Sequence, residues 1–232
     1  MNYSQMIEQE KSVLRWGGLA GILGSIILVL VMVFVAVAIG PGPDDLNDVV
    51  VRFPDIHMLR IIENCVYLVG LLLEILLFLA LFYALRKDSL ALALFGSALG
   101  IVGLISMAIS ATPHVAHHPL SEIFQAAGTT AEAQEAIAIM WQGTWGVFNA
   151  PLYVGFFVVP LGIILLGMAM FGASDFGKGL GWMSVVIGVL AFVAAISQMI
   201  DPAGDIGALS YIAPIIFYFV LGIKTYRLSK TS

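Results

Sequence analysis

The chain has 232 residues, of which 60% are hydrophobic and only 11% charged. A water-soluble domain carries about a quarter charged residues, so this composition excludes an ordinary soluble enzyme or binding module. The net charge of −5 offers no broad basic surface, and no nucleic-acid partner is expected.

The first element follows directly from the distribution of charge. No ionisable side chain occurs from Trp16 to Ile39, and about 20 apolar residues suffice to cross a bilayer core. Lys11 and Arg15 precede this run and Ala36-Val37-Ala38 ends it, a layout shared with signal peptides. The stretch exceeds the roughly 7–15 residues of a signal core, so a retained helix is expected. Five more windows follow: 61–85, 90–111, 145–171, 179–200 and 206–223. In lipid every backbone amide must bond internally, which makes continuous apolar runs helical. The expected fold is all-α, a single domain over 1–232 with six transmembrane helices.

Orientation comes from the cations. Lys11, Arg15, Arg86, Lys87, Lys178, Lys224, Arg227 and Lys230 share one side, leaving Arg52 and Arg60 on the other. Basic residues favour the cytoplasmic side, so both termini are expected in the cytoplasm of a multi-pass cell-membrane protein. Cys65 is the only cysteine, which leaves no intrachain disulfide.

The connections differ by side. Inner loops are short, at 86–89 and 172–178, whereas 41–55 and 113–143 are long. Pro41-Gly42-Pro43 opens the first long loop and Pro54 breaks it again, with room for one amphipathic turn between them. In the second, Thr129 and Glu132 have capping-box spacing, predicting a short helix along the surface or running into the fourth span. Trp16, Trp141, Trp145 and Trp182 fall near expected interfaces. Gly17/Gly24, Gly96/Gly103 and Gly181/Gly188 recur at the same spacing, as if to let helices one, three and five approach closely.

Polar residues collect toward the outer half. Glu74 lies deep in the second span between Leu71-Leu72-Leu73 and Ile75-Leu76-Leu77, and an acid there is costly enough to suggest a function. At 100° per residue, Arg60, Glu63, Tyr67, Gly70 and Glu74 form one stripe, the expected wall of an outward-opening pocket. No Lys or Arg lies at its depth, so a protonated, hydrogen-bonded carboxyl is expected. A single helix-bridging bond would explain Glu74 equally well. Ser106, Ser110 and His114 follow in the third span, Asn149 and Tyr153 with Pro151 and Pro160 in the fourth, and Ser197, Gln198 and Asp201 in the fifth.

His114-Val-Ala-His117-His118, with Glu122 following, is the one run with metal-ligand chemistry. His57, Asp201 and Asp205 are expected at the same depth. Pro113 and Pro119 bracket the run and argue against regular helical presentation, and no HExxH pattern is present. A capping cluster of solvated histidines is the alternative.

Four blocks carry a family resemblance: Leu14-Arg15-Trp16-Gly17-Gly18-Leu19-Ala20-Gly21, Leu79-Ala80-Leu81-Phe82-Tyr83-Ala84-Leu85-Arg86, Gly155-Phe156-Phe157-Val158-Val159-Pro160-Leu161-Gly162 and Lys178-Gly179-Leu180-Gly181-Trp182. With them the chain resembles the bacterial and archaeal six-helix membrane family catalogued as domain-of-unknown-function family 4386. The resemblance implies the topology and assigns no reaction, cofactor or site residue.

The resulting expectation is a non-enzymatic membrane protein that binds a small or lipid-like ligand, or a partner subunit, in an outward-facing polar pocket. Glu74 is its deep anchor, with Glu63, Tyr67, Asn149 and Tyr153 as lining; a homodimer or membrane complex is compatible with it. No cofactor is expected. Two rivals stand beside it. One is a membrane-embedded metal-dependent hydrolase holding zinc or copper at His114, His117, His118 and Asp201. The other is a proton-coupled transporter using Glu74.

Overall fold

A computed structural model describes residues 3–201 and 205–231, with side chains for 8–201 and 206–231. The described residues are helical, without strands: α1 (Tyr3–Phe34), α2 (Leu46–Leu85), α3 (Leu90–Ile109), α4 (His114–Gln125), α5 (Ala131–Met170), α6 (Gly177–Ile200) and α7 (Leu209–Thr231). All but α4 are long and apolar enough to cross a membrane, six in number. Their packing order is a closed ring. α1 touches α2, α2 touches α3, α3 touches α5, α5 touches α6, α6 touches α7, and α7 returns to α1. Gly18 of α1 meets Tyr226 and Gly222 of α7, which puts the two termini at the same end of the bundle.

Glycines set the seams of this ring. A Cβ on Gly162 would lie 2.6 Å from both Gly100 N and Gly96 O, so α3 and α5 touch backbone to backbone. The recurrent glycines serve different pairs from those expected. Gly17 and Gly24 face α2, Gly96 and Gly103 face α5, and Gly181 and Gly188 also face α5. Among the described residues, α1, α3 and α6 do not touch one another. Closely packed small residues lower the separation of adjacent helices, and in a closed ring the adjacent helix is a sequence neighbour.

Two helices are longer than the apolar windows. α2 and α5 each run for 40 residues, about 60 Å at 1.5 Å per residue, twice the thickness of a bilayer core. The expected break at Pro54 is absent, and α2 passes straight through it. The proline removes the hydrogen bond to the carbonyl four residues earlier, here that of Val50. Ser121 Oγ of α4 donates to that carbonyl at 2.8 Å, and Gln125 Nε2 donates to Val51 O at 3.1 Å. A tertiary donor thus stands in for the lost helical one. The predicted second-loop helix is the first part of α5, which continues unbroken through Pro151 and Pro160. Its cap is Thr130, accepting from Ala133 N, whereas Thr129 Oγ1 donates to Ile123 O and Ala126 O at the end of α4. Gly128, at φ 91°, supplies the left-handed turn between them.

The projecting parts of α2 and α5 and the crossing α4 make a cap at the end away from the termini. It has a small core of its own: Val50, Phe53, Phe124, Ile137, Ala138 and Trp141. Arg52 ties down the α1–α2 connection by donating to Pro41 O and Ile39 O. At the terminal end Glu10 accepts from Tyr83 Oη at 2.8 Å and pairs with Lys87 at 3.3 Å, closing α1 onto α2. Trp16 and Trp182 are exposed at this end. Trp141 belongs instead to the cap core.

Ser121→Ala would leave the Val50 carbonyl without its donor, at a cost of about 1–3 kcal/mol. Amide exchange should quicken in the cap, while the α3–α5 seam keeps its protection.

Candidate functional site

The axis of the ring is filled differently along its length. In the half nearer the termini it is closed by Leu77, Phe78, Leu81, Leu85, Ile163, Leu166, Phe217 and Leu221, all fully buried. In the other half the helices line a cavity of about 480 Å³. That is within the size range of small-molecule sites.

Three levels can be distinguished from cap to centre. Phe53, His117 and Trp145 form a roof. His117 stacks on Trp141 at 4.0 Å and lies 5.5 Å from Trp145, with Phe53 edge-on to it at 5.9 Å. Below the roof lies a polar belt, with Arg60, Glu63, Asn64, Tyr67, His114 and Asn149 as its main members. Within it Arg60 Nη1 donates to Glu63 Oε2 at 2.8 Å, so the two charges largely cancel. Asn64 Nδ2 lies 3.1 Å from His114 Nδ1; with the amide donating, His114 keeps its proton on Nε2. The Tyr67 hydroxyl is buried without a hydrogen-bond partner among the described residues. The third level is an apolar shaft of Leu28, Val31, Leu71, Met107, Leu152 and Phe156, with the Tyr218 ring also lining it.

The predicted stripe on α2 therefore divides. Arg60, Glu63 and Tyr67 line the cavity, as does Asn149 from α5. Glu74 does not. It is fully buried one turn below Leu71, and its carboxyl lies against Gly24 of α1. Gly70 is covered by Leu28. Tyr153 is likewise absent from the lining, its ring edge-on to Phe156 at 6.3 Å. Ser106 spends its hydroxyl on Pro151 O at 2.7 Å. The expected contribution of the fifth span is also missing: Gln198 accepts from Ser210 at 3.0 Å, and Ser197 and Asp201 do not line the cavity.

Sequence reasoning passed over α7. Ser210, Tyr211, Pro214, Ile215 and Tyr218 all line the cavity, and Tyr211 and Tyr218 are separated by two helical turns on one face. The stripe argument applied to α2 would have found them. The wall provided by α1 is wholly apolar, so no polar periodicity marks it.

The histidines are presented on a regular helix despite Pro113 and Pro119, since α4 spans His114–Gln125. Their rings have separate partners. His114 faces Asn64, His117 is held among aromatic rings, and His118 stacks on His57 at 3.9 Å. Asp201 caps the far end of α6, and the Asp205 side chain lies outside the described residues. Among the described residues no three His, Cys, Asp or Glu side chains converge as metal ligands.

No protein-family model, curated protein or solved structure matches the chain.

Phe53→Ala removes the ring that joins the cap core to the roof, a loss of about 3–5 kcal/mol for a buried aromatic. Trp141 emission should shift toward that of a hydrated indole, with the bundle helices still protected from exchange.

Proposed function

We propose that this protein binds a single-chain or similarly slender amphiphile in the cavity, with the polar head in the belt and the apolar part in the shaft. The observation that carries this reading is the order of surfaces along one cavity. Aromatic rings come first, then hydrogen-bonding groups, then hydrocarbon down to Tyr218. An amphiphile satisfies these three levels in one orientation. Water fills polar cavities readily but leaves apolar ones empty, so the shaft favours a hydrocarbon occupant.

The belt narrows the head group. Arg60 and Glu63 neutralise each other, which favours an uncharged or zwitterionic head over a strongly anionic one. The Tyr67 hydroxyl and the Nε2–H assigned to His114 are available to meet its oxygens. Met32 and Trp145 line the cavity and are also exposed, at 39% and 46%, which supports entry from the side facing lipid. The placement of cations supports a cell-membrane protein with both termini in the cytoplasm and the cap outside.

The test is retention. Protein exchanged extensively into a short-chain detergent, then extracted with organic solvent, should release an amphiphile in near-stoichiometric amount by mass spectrometry. Leu71→Trp, which fills the shaft, should abolish retention, and Tyr67→Phe should weaken it by about 1–3 kcal/mol. Equal retention by the wild type and a folded Leu71→Trp variant would exclude the cavity as the site.

A further inference from the structure

Glu74 is the group that the ligand-binding reading leaves unused. It is 0% exposed, and neither carboxyl oxygen has a hydrogen-bond partner among the described residues. Among the described residues, no Lys, Arg or His interacts with it. On its own helix the nearest ionisable neighbour along the stripe is Tyr67, two turns above. From α7 the facing group is Tyr218. α1 presents Gly24 here, α3 has no ionisable residue, and α5 brings only Tyr153, which lies against Phe156.

The place of Gly24 makes the contact informative. A Cβ there would lie 2.5 Å from Glu74 Oε1, so the carboxyl occupies the space a side chain would take. One helical turn up, Leu28 closes over Gly70, its Cδ2 only 2.9 Å from where a Cβ would be. Gly24, Leu28 and Val31 follow at i, i+4 and i+7 and share one face of α1, and Val35 opens the π-helical segment Val35–Ile39 that continues it. Leu28, Val31 and Val35 line the cavity. A single face of α1 is therefore both the cover over Glu74 and a wall of the cavity.

A neutral carboxyl fits beneath such a cover. An ionised one needs water or a counter-charge, because an unpaired charge in a low-dielectric interior is strongly disfavoured. Neither reaches Glu74 while Gly24 lies against it. Ionisation and close α1–α2 contact thus exclude each other.

We infer that Glu74 is a proton-binding site, and that its proton occupancy sets the position of α1 and so the width of the cavity. With the proton bound, α1 lies closed on α2. With the proton lost, α1 separates and water enters from the cavity past Tyr218 and Tyr67. By linkage, any occupant that prefers the closed wall binds together with a proton. The inference uses only the cavity's shape and stands apart from the identity of its occupant.

Two measurements test it without a ligand. Dicyclohexylcarbodiimide, which partitions into lipid and reacts with protonated carboxyls, should give one adduct on Glu74 by peptide mass mapping. The adduct should diminish as the pH rises and be missing from Glu74→Gln. Absence of an adduct on Glu74 in monodisperse protein at every pH overturns the proton site. For the movement, Val31→Cys in a Cys65→Ser background is labelled with a membrane-impermeant maleimide. Its rate is divided by that of the same cysteine in Glu74→Gln, which cancels the intrinsic pH dependence of the thiol. The ratio should grow several-fold from mildly acidic to alkaline pH; a ratio that stays at unity overturns the coupling to α1. Glu74→Met replaces Glu74→Gln as the reference if the latter does not fold.

Discussion

A ring of six helices has an axis, and something must occupy it. In a bilayer, packing between helices lacks the hydrophobic drive available in water and depends on close contact. The seams of this ring obtain that contact from glycine, where backbones touch as at Gly100 and Gly162. Once the perimeter is drawn in, the width of the axis follows. Phe78, Phe217 and their leucine neighbours fill it in the half nearer the termini. Toward the cap the inward residues at the belt are Arg60, Glu63, Asn64 and Asn149, which pair along the wall, as Arg60 does with Glu63 and Asn64 with His114, and leave the axis open. The cavity is therefore a consequence of which residues face inward, given a perimeter already fixed by the seams.

The cap depends on a second constraint, the satisfaction of backbone groups. Long helices that pass through proline are rare in isolation because each proline strands a carbonyl. α2 meets this condition at Pro54 with Ser121 and Gln125, and both come from α4. The continuity of α2 through Pro54 and the docking of α4 are thus one arrangement. The same docking brings His117 under Trp141 and beside Phe53, so the roof of the cavity follows from a backbone hydrogen-bond requirement one helical turn away.

The pattern of the sequence reveals these features unevenly. The six spans were legible because membrane insertion is governed by local apolar length, which hydropathy records. Arg60, Glu63 and Tyr67 were legible as a wall because polar groups on one face of an apolar helix need a common destination. Glu74 shares their azimuth but not their environment. Whether it lines the space depends on Leu28 and Gly24 of another helix, and no periodicity within α2 carries that information. Continuity through Pro54 was hidden for the same reason, since its donors lie some 70 residues onward in the chain, at a sequence separation of 71 for Ser121. The glycine pattern was visible, but its partners were set by ring closure, a property of the whole assembly.

Belt and shaft share one length of α2. From Arg60 to Leu71 the α2 axis advances about 16 Å at 1.5 Å per residue, roughly half the hydrocarbon thickness of a bilayer. A chain bound as proposed would end beside Leu71, one turn above Glu74. Tyr218 belongs to both neighbourhoods, lining the cavity while facing the carboxyl. On the proposed reading, a tail in the shaft would pack against Leu28 and Val31, hold α1 in its closed position and keep water from the carboxyl below. Occupancy above and protonation beneath would then favour the same placement of one helix, and two sites without direct contact would depend on each other.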